Sequence, residues 1–429
     1  MSDLKLPGAQ YISYQDQNLM MEKVALKGLA EKYGTPLFAY SKAAMMGALQ
    51  EYKLAFQGRK ARIHYAMKAN SSLGVLRVFA QNDCGFDIVS GGELAKVLAA
   101  GGKAEHIIFS GVGKTRAEIR AALEAGICCF NVESEPELDV INEVALSVNK
   151  VAPISLRVNP NVDAKTHPYI STGLKDNKFG IAHDHALETY KRAATLKGLK
   201  IKGIDCHIGS QITEISPYED AVSRVLDLVD AIEASGIPIE HLDFGGGLGI
   251  DYSGETPPQA NVLWARLFEL IDQRGYADRY IFVEPGRSLV GNAGVCLTRV
   301  EYLKTGEHKN FCIVDAAMND VPRPAMYEAF HAIVPVSQRA EFSETNPTSK
   351  VTYDIVGPVC ESGDWLGRDR TLNVSVGDDL AILSAGAYCM SMSSNYNSRR
   401  RAAEVLISES EVQVIRRRET VEDLMRQEV

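Results

Sequence analysis

Lys68 ends an apolar run, in the stretch His64-Tyr65-Ala66-Met67-Lys68-Ala69-Asn70. A lysine can form a Schiff base with a carbonyl when it is desolvated and held on a rigid element, and a buried strand end supplies both conditions. A lone lysine at a strand end is more often a solvated edge residue, so its neighbours in the fold must decide. Glycines crowd positions 245 to 249 (Gly245-Gly246-Gly247-Leu248-Gly249), directly after the apolar run Leu242 to Phe244. Such glycines let a backbone approach a phosphate and donate N–H groups to it, although plain turns use the same composition. Glu284 follows Tyr280 to Val283 and stands three residues before Arg287. It can be the ion-pair partner of that arginine, or keep a proton on a heterocyclic nitrogen and so make the ring an electron sink. His207, which ends the strand expected over Ile204 to Ile208, is either a satisfied core histidine or a ring that stacks on another flat ring. Cys360 is expected to end a strand and opens the turn Cys360-Glu361-Ser362-Gly363-Asp364, and Tyr388 follows Gly386-Ala387. A thiol among titratable neighbours can donate a proton. A buried bystander thiol is the bland alternative.

These residues sit where one architecture would put them. Short apolar runs recur and end in polar groups: Ile63 to Ala66, Gly85 to Val89, Ile107 to Phe109, Cys128 to Val132, Ile154 to Val158, Ile204 to Ile208, Leu242 to Phe244 and Tyr280 to Val283. Helix-period stretches lie between them, such as Gly92 to Ala100, Arg116 to Ala125, Glu135 to Val148 and Tyr218 to Ala234. Short buried strands alternating with helices predict a parallel sheet. Units of this number over ~240 residues match an α/β (β/α)8 TIM barrel, whose active site lies at the carboxyl ends of the strands. A doubly wound sheet is the structural alternative. Beyond Arg287 the runs Phe311 to Val314, Ala332 to Val336, Val351 to Val356 and Leu380 to Leu383 are joined by turns. They predict a second, mostly antiparallel β domain. Tyr11 to Leu19 could add a strand to it, which would make the barrel an insertion and build the β domain from both chain termini. The expected division is residues 1–38 and 286–429 for the β domain and 39–285 for the barrel.

The composition narrows the partners. The chain has 429 residues, 45% hydrophobic and 24% charged, with a formal net charge of −9. That balance argues against nucleic acid, which is bound by clustered Lys and Arg. The runs Arg399 to Arg401 and Arg416 to Arg418 read as solvated ends of elements. No run of roughly 18 apolar residues predicts a membrane span, and Met1 to Gln10 lacks the apolar core of a secretory signal. Eight cysteines are scattered without a CxxC pair or zinc-like spacing, which suggests the reducing cytoplasm.

The segments YAMKAN, FDIVSGGEL, HIGSQI, DFGGGLGI, EPGRSLVGNAG, DAAMNDVPRPAMYEAFH, VGPVCESGDWL and GAYCMSMSSNYN occur in this order between about Pro36 and Ile407. Together they resemble the alanine-racemase-like barrel family of enzymes that use pyridoxal 5'-phosphate (PLP), the fold-type III decarboxylases. The resemblance implies that Lys68 forms the Schiff base with PLP and that His207 stacks on its ring. It further implies that Asp87, Ser210, Gly245, Gly246, Gly247, Glu284, Pro285, Gly286, Arg287 and Tyr388 contact the cofactor. Arg287, Arg323 and Tyr327 would bind the distal carboxylate of an amino-acid substrate, Glu361 its distal ammonium, and Tyr388 would lie near both substrate and cofactor. Cys360 would return a proton to the carbon that loses CO2, and would do so in the site of a partner subunit, which implies a homodimer with shared active sites. The implied reaction is decarboxylation of meso-2,6-diaminopimelate to L-lysine, the last step of lysine biosynthesis. Ornithine or arginine is the alternative substrate, but each ends in a cation that two arginines would repel. A racemase on this fold would place an arginine where Glu284 stands. A catalytically dead homologue would usually have lost Lys68 or Cys360.

Overall fold

The computed structural model describes residues 6–7, 11–163, 177–338 and 350–429. Eight strands carry the first half of the fold: β1 (Ala61–Ala66), β2 (Gly85–Ile88), β3 (Ile107–Phe109), β4 (Cys129–Val132), β5 (Ala152–Asn159), β6 (Leu199–Asp205), β7 (His241–Asp243) and β8 (Tyr280–Val283). Every neighbouring pair is parallel. β8 pairs with β1, and β4 with β5, so the sheet closes on itself. The barrel expected from the sequence is present; a doubly wound sheet would have left two open edges.

The turns that lead from strand to helix are encoded locally. Ser90 caps the helix Gly91–Ala99 by accepting from the Glu93 N–H at 3.2 Å, and the Glu93 carboxylate accepts from the Val89 N–H at 2.7 Å. Thr115 and Glu118 form a reciprocal capping box before Arg116–Ala125, and Gly126 ends that helix in the left-handed region at φ 76°. Such caps satisfy the free N–H groups of a helix start and fix the direction in which each strand end opens.

Contacts divide the chain into two compact units. One comprises residues 49–249 and 257–288 and contains the barrel; the other comprises 1–48, 250–256 and 289–429. The second unit is built on a mostly antiparallel sheet in the order Trp365–Leu372, Val351–Val356, Asn310–Val314, Gly294–Lys304, Leu37–Ser41, Ala403–Ser408, Glu411–Arg416. Its core packs Leu19, Leu26, Leu37, Val295, Leu297, Leu383, Val405 and Ile407. Tyr11 to Leu19 adds strands to this unit, but not to its large sheet: Ile12–Gln15 and Asn18–Met21 pair with each other in a separate three-stranded sheet. The N-terminal strand of the large sheet is Leu37–Ser41, fully buried and paired on both sides. Its continuous apolar run LFAYS lacks the alternation that marks a half-exposed strand, which is why it escaped notice. Among the described residues no helix is long and apolar enough to cross a membrane.

Candidate active site

The carboxyl ends of the barrel strands gather the expected residues of the first unit. Lys68 lies two residues beyond β1, and its Nζ donates to Oδ2 of Asp87, in β2, at 2.6 Å. The lysine side chain is 36% exposed and the aspartate fully buried, so the amine is held on a fixed anion while still open to an incoming group. The end of β1 is tied to the end of β8 by the Ala66 N–H, which donates to the Pro285 carbonyl at 3.1 Å. Gly286 packs so closely that a Cβ there would lie 3.1 Å from the Ala66 carbonyl oxygen.

Glu284 immediately follows β8 and is buried. Asn131 of β4 donates to its Oε1 at 3.3 Å. Burial, and then the negative charges of Asp87, Asp243 and Asp205, raise the Glu284 pKa well above the usual carboxylate range, while Lys68 pulls the other way. Burial likewise pushes Asp243 up to about 7 and raises Asp205. The barrel mouth therefore holds more carboxylates than it has cations to ionise them. Arg157 of β5 is the main counter-charge: it pairs with Glu133 at 2.8 Å and lies 4.0 Å from Asp205.

His207 follows β6 by two residues, rather than ending the strand as the sequence suggested, and its Nδ1 accepts from the Gly246 N–H at 3.2 Å. Burial, aided by the charges of Arg157 and Lys68, holds its pKa well below the ordinary value, so the ring is neutral with its proton on Nε2. The glycine loop follows β7. Added Cβ atoms would lie 2.8 Å from the Cys206 carbonyl oxygen at Gly245, 2.2 Å from the Glu284 carbonyl oxygen at Gly246, and 2.6 Å from the Gly209 carbonyl oxygen at Gly247. These are close backbone approaches that only glycine permits. Arg287 is buried and donates to Ser210 Oγ from Nε and Nη2, at 3.3 and 3.0 Å.

The remaining expected residues belong to the second unit. Arg323, buried, opens the short helix Arg323–Tyr327 with Pro322 before it and Pro324 after it, and Tyr327 closes that helix half-buried. Cys360 does not end a strand; it lies four residues past Val351–Val356, in a turn that Asp364 ties down by accepting from the Val359 and Met318 N–H groups at 2.7 and 2.6 Å. Cys360 is exposed, whereas six of the other seven cysteines are buried and Cys128 is half-buried. Glu361 beside it is also exposed. Tyr388 is held at φ 56°, a left-handed conformation rare for a bulky residue and commonest where function over-determines the backbone.

Sequence reasoning passed over Asn131, Glu133, Arg157, Asp205 and Asp243. The signal was present, since all but Glu133 are polar residues embedded in the apolar strand runs already identified. A polar side chain within a buried strand must find a partner, and in a barrel that partner lies in the interior.

The profile of the pyridoxal-dependent decarboxylases, pyridoxal binding domain, matches residues 43–291, which fixes the class of the barrel. The diaminopimelate decarboxylase of Neisseria meningitidis serogroup B is 55% identical over 411 residues, covering 96% of this chain and 97% of that one. That of Pseudomonas aeruginosa is 53% identical over 412 residues, with coverage of 96% and 97%. The crystal structure of diaminopimelate decarboxylase from Helicobacter pylori complexed with L-lysine matches with TM-score 0.87 at 41% identity, covering 94% of this chain and 99% of that chain. The M. jannaschii enzyme in co-complex with L-lysine matches with TM-score 0.92 at 38% identity, covering 99% of both chains. The chain belongs to the diaminopimelate decarboxylase family, and its cofactor is pyridoxal 5'-phosphate.

The residues present fit that cofactor. Asp87 Oδ1 and Asn131 Oδ1 are buried at the barrel mouth without a hydrogen-bond partner. The raised pKa of Glu284 marks a carboxylate awaiting a cation, which a protonated pyridine nitrogen would supply. Lys68 offers the amine, and the loop Gly245–Gly247 with Ser210 and Arg287 offers phosphate donors.

Proposed function

We propose that this enzyme decarboxylates meso-2,6-diaminopimelate to L-lysine and CO2, using PLP held by Lys68. The observation that carries the reading is the pairing of Lys68, half-exposed on a buried aspartate, with Glu284, a buried carboxylate of raised proton affinity, at hydrogen-bonded neighbouring strand ends. When bound, PLP supplies the electron sink that lets the bond between Cα and the departing carboxylate break. Each protein group then has one task. Glu284 keeps the proton on the pyridine nitrogen. His207, neutral and fixed by Gly246, presents its ring face to the cofactor. Ser210, the glycine loop and Arg287 would bind its phosphate, and Lys68 Nζ would supply the amine that holds it.

Arg323 and Tyr327 hold the distal carboxylate and Glu361 the distal ammonium, with Arg287 adding positive charge and Tyr388 beside cofactor and substrate. Cys360 Sγ delivers the proton to the carbon that has lost CO2, acting from the partner subunit of a homodimer. L-Lysine keeps one carboxylate, and because the proximal one departs, it keeps the distal one. Ornithine and arginine lack that group, and the buried guanidinium of Arg323 would meet a cation. All eight cysteines are free thiols, which supports a reducing compartment, the cytoplasm. The deciding experiment measures CO2 release from meso-diaminopimelate, its LL isomer, ornithine and arginine side by side. The meso isomer should be preferred by orders of magnitude, and a preference for ornithine would sink the substrate assignment.

A further inference from the structure

We propose that His331 is a positioning residue for Arg323, and sets substrate affinity by fixing the plane of that guanidinium. The inference rests on the reading of Arg323 as the distal-carboxylate binder. His331 is fully buried. Its Nδ1 lies 2.8 Å from the Leu383 carbonyl oxygen, and a carbonyl can only accept, so Nδ1 carries the ring proton. Nε2 is thereby left as an acceptor, and Arg323 Nη1 donates to it at 2.8 Å. The Tyr252 ring lies 4.4 Å from the guanidinium carbon and meets the His331 ring edge-on, 5.3 Å between centroids at 80°.

Arg323 is thus held in two independent directions. The histidine fixes it by an in-plane hydrogen bond, and the tyrosine supports its face. Pro322 and Pro324 stiffen the backbone on either side. Bidentate recognition of a carboxylate requires the guanidinium fork to lie in the plane of its ligand, and a fork able to swivel gives up much of that gain. The tautomer matters as much as the ring: a donor at the Nε2 position would face the Arg323 N–H groups. His331 closes the segment Arg323-Pro324-Ala325-Met326-Tyr327-Glu328-Ala329-Phe330-His331, so binder and support lie eight residues apart.

The test compares His331→Leu, His331→Gln and His331→Asn in the PLP-loaded enzyme. Leu removes the acceptor. Gln can carry an amide oxygen to Arg323, whereas Asn is too short to reach it. Binding of L-lysine and of 1,5-diaminopentane is read from the change they cause in cofactor absorbance, alongside KM and kcat for diaminopimelate. His331→Leu should raise KM and the L-lysine Kd together, by about 10- to 100-fold, because both ligands carry the distal carboxylate. The kcat should stay within about threefold, and 1,5-diaminopentane, which lacks the carboxylate, should bind unchanged. His331→Gln should bind L-lysine at least about tenfold more tightly than His331→Asn, a comparison that stands even if the Leu variant fails to fold. In an Arg323→Ala background the His331 substitutions should add less than about twofold.

Equal losses for L-lysine and 1,5-diaminopentane, a fall in kcat at constant KM, or additivity with Arg323→Ala would each overturn the proposal. If Arg323→Ala itself leaves KM unchanged, the reading of Arg323 falls and takes this one with it. If Arg323→Ala raises KM and no His331 variant does, only the role of His331 is refuted.

Discussion

Gly246→Ala tests whether the glycine loop is a fitted part of the cofactor site or an ordinary turn. The added Cβ would lie 2.2 Å from the Glu284 carbonyl oxygen and 2.9 Å from its carbonyl carbon. Ordinary contact begins at 3.4 Å, so relief requires a displacement of 3.4 − 2.2 = 1.2 Å. Both sides of the clash are backbone, so no side-chain rotation can absorb it. Both are also tethered: the Glu284 N–H donates to the Gly245 carbonyl at 2.7 Å, and the Gly246 N–H donates to His207 Nδ1 at 3.2 Å. The strain must therefore move Glu284, His207 or the loop, which are the assigned partners of the pyridine nitrogen, the ring face and the phosphate. A misplacement of about 1 Å at reacting groups costs on the order of 100-fold in rate, and overpacking of this kind costs about 1–3 kcal/mol of stability. The φ angle of Gly246 lies outside the left-handed region, so the effect is steric rather than a backbone penalty. The assay is titration of apoenzyme with PLP, followed by absorbance, together with kcat/KM on diaminopimelate. PLP affinity should fall by at least about tenfold and kcat/KM by about 100-fold. A variant within threefold of wild type on both measures would show that the loop end is freer than its contacts imply.

Glu284→Gln should retain PLP yet lose about 100- to 1000-fold in kcat/KM, the usual cost of removing one preorganised electrostatic group; near-normal turnover would make Glu284 a structural residue. Cys360→Ala and Lys68→Ala enzymes, each inactive, should recover about a quarter of wild-type activity after subunit mixing, because half the dimers are mixed and each has one intact site of two. No recovery in verified mixed dimers would refute a shared site. Glu133→Gln should lower the unfolding free energy in urea by about 3 kcal/mol, because it strips a buried partner from Arg157 while the Gly111 and Gly180 N–H groups compete for the remaining oxygen; a loss below about 1 kcal/mol would mean that Asp205 takes over the pairing. Gly28→Ala, in the exposed face of the helix Leu26–Tyr33 with nothing within 4 Å of the new methyl, should stabilise by about 0.5–1 kcal/mol, seen as a raised Tm.

The barrel was legible because buried parallel strands read as short apolar runs, and each run identified overlaps a strand of the closed sheet. The glycine loop after β7 and the carboxylate after β8 were legible for the same reason: strand ends point side chains and backbone into the mouth whatever the details of packing. The large sheet of the second unit was only half visible. Gly294–Lys304, its central strand, is separated from the helical turn at Arg287–Val290 by only the short turn Gly291–Ala293, and Trp365–Leu372 carries three charged residues among its eight.

Sequence alone determined which residue types stand at the ends of the strands, and hence that an amine, a glycine loop and a carboxylate would meet at one mouth. What only the tertiary structure decided is the state of those groups. Glu284 has a raised proton affinity because it is buried and because Asp87, Asp243 and Asp205 converge on it from β2, β7 and β6. His207 is neutral because burial and two nearby cations make it so, and His331 accepts rather than donates because a distant carbonyl, that of Leu383, takes its other nitrogen. Charge and tautomer depend on what surrounds a group in space. Residues far apart along the chain supply those surroundings, so no reading of local sequence contains them.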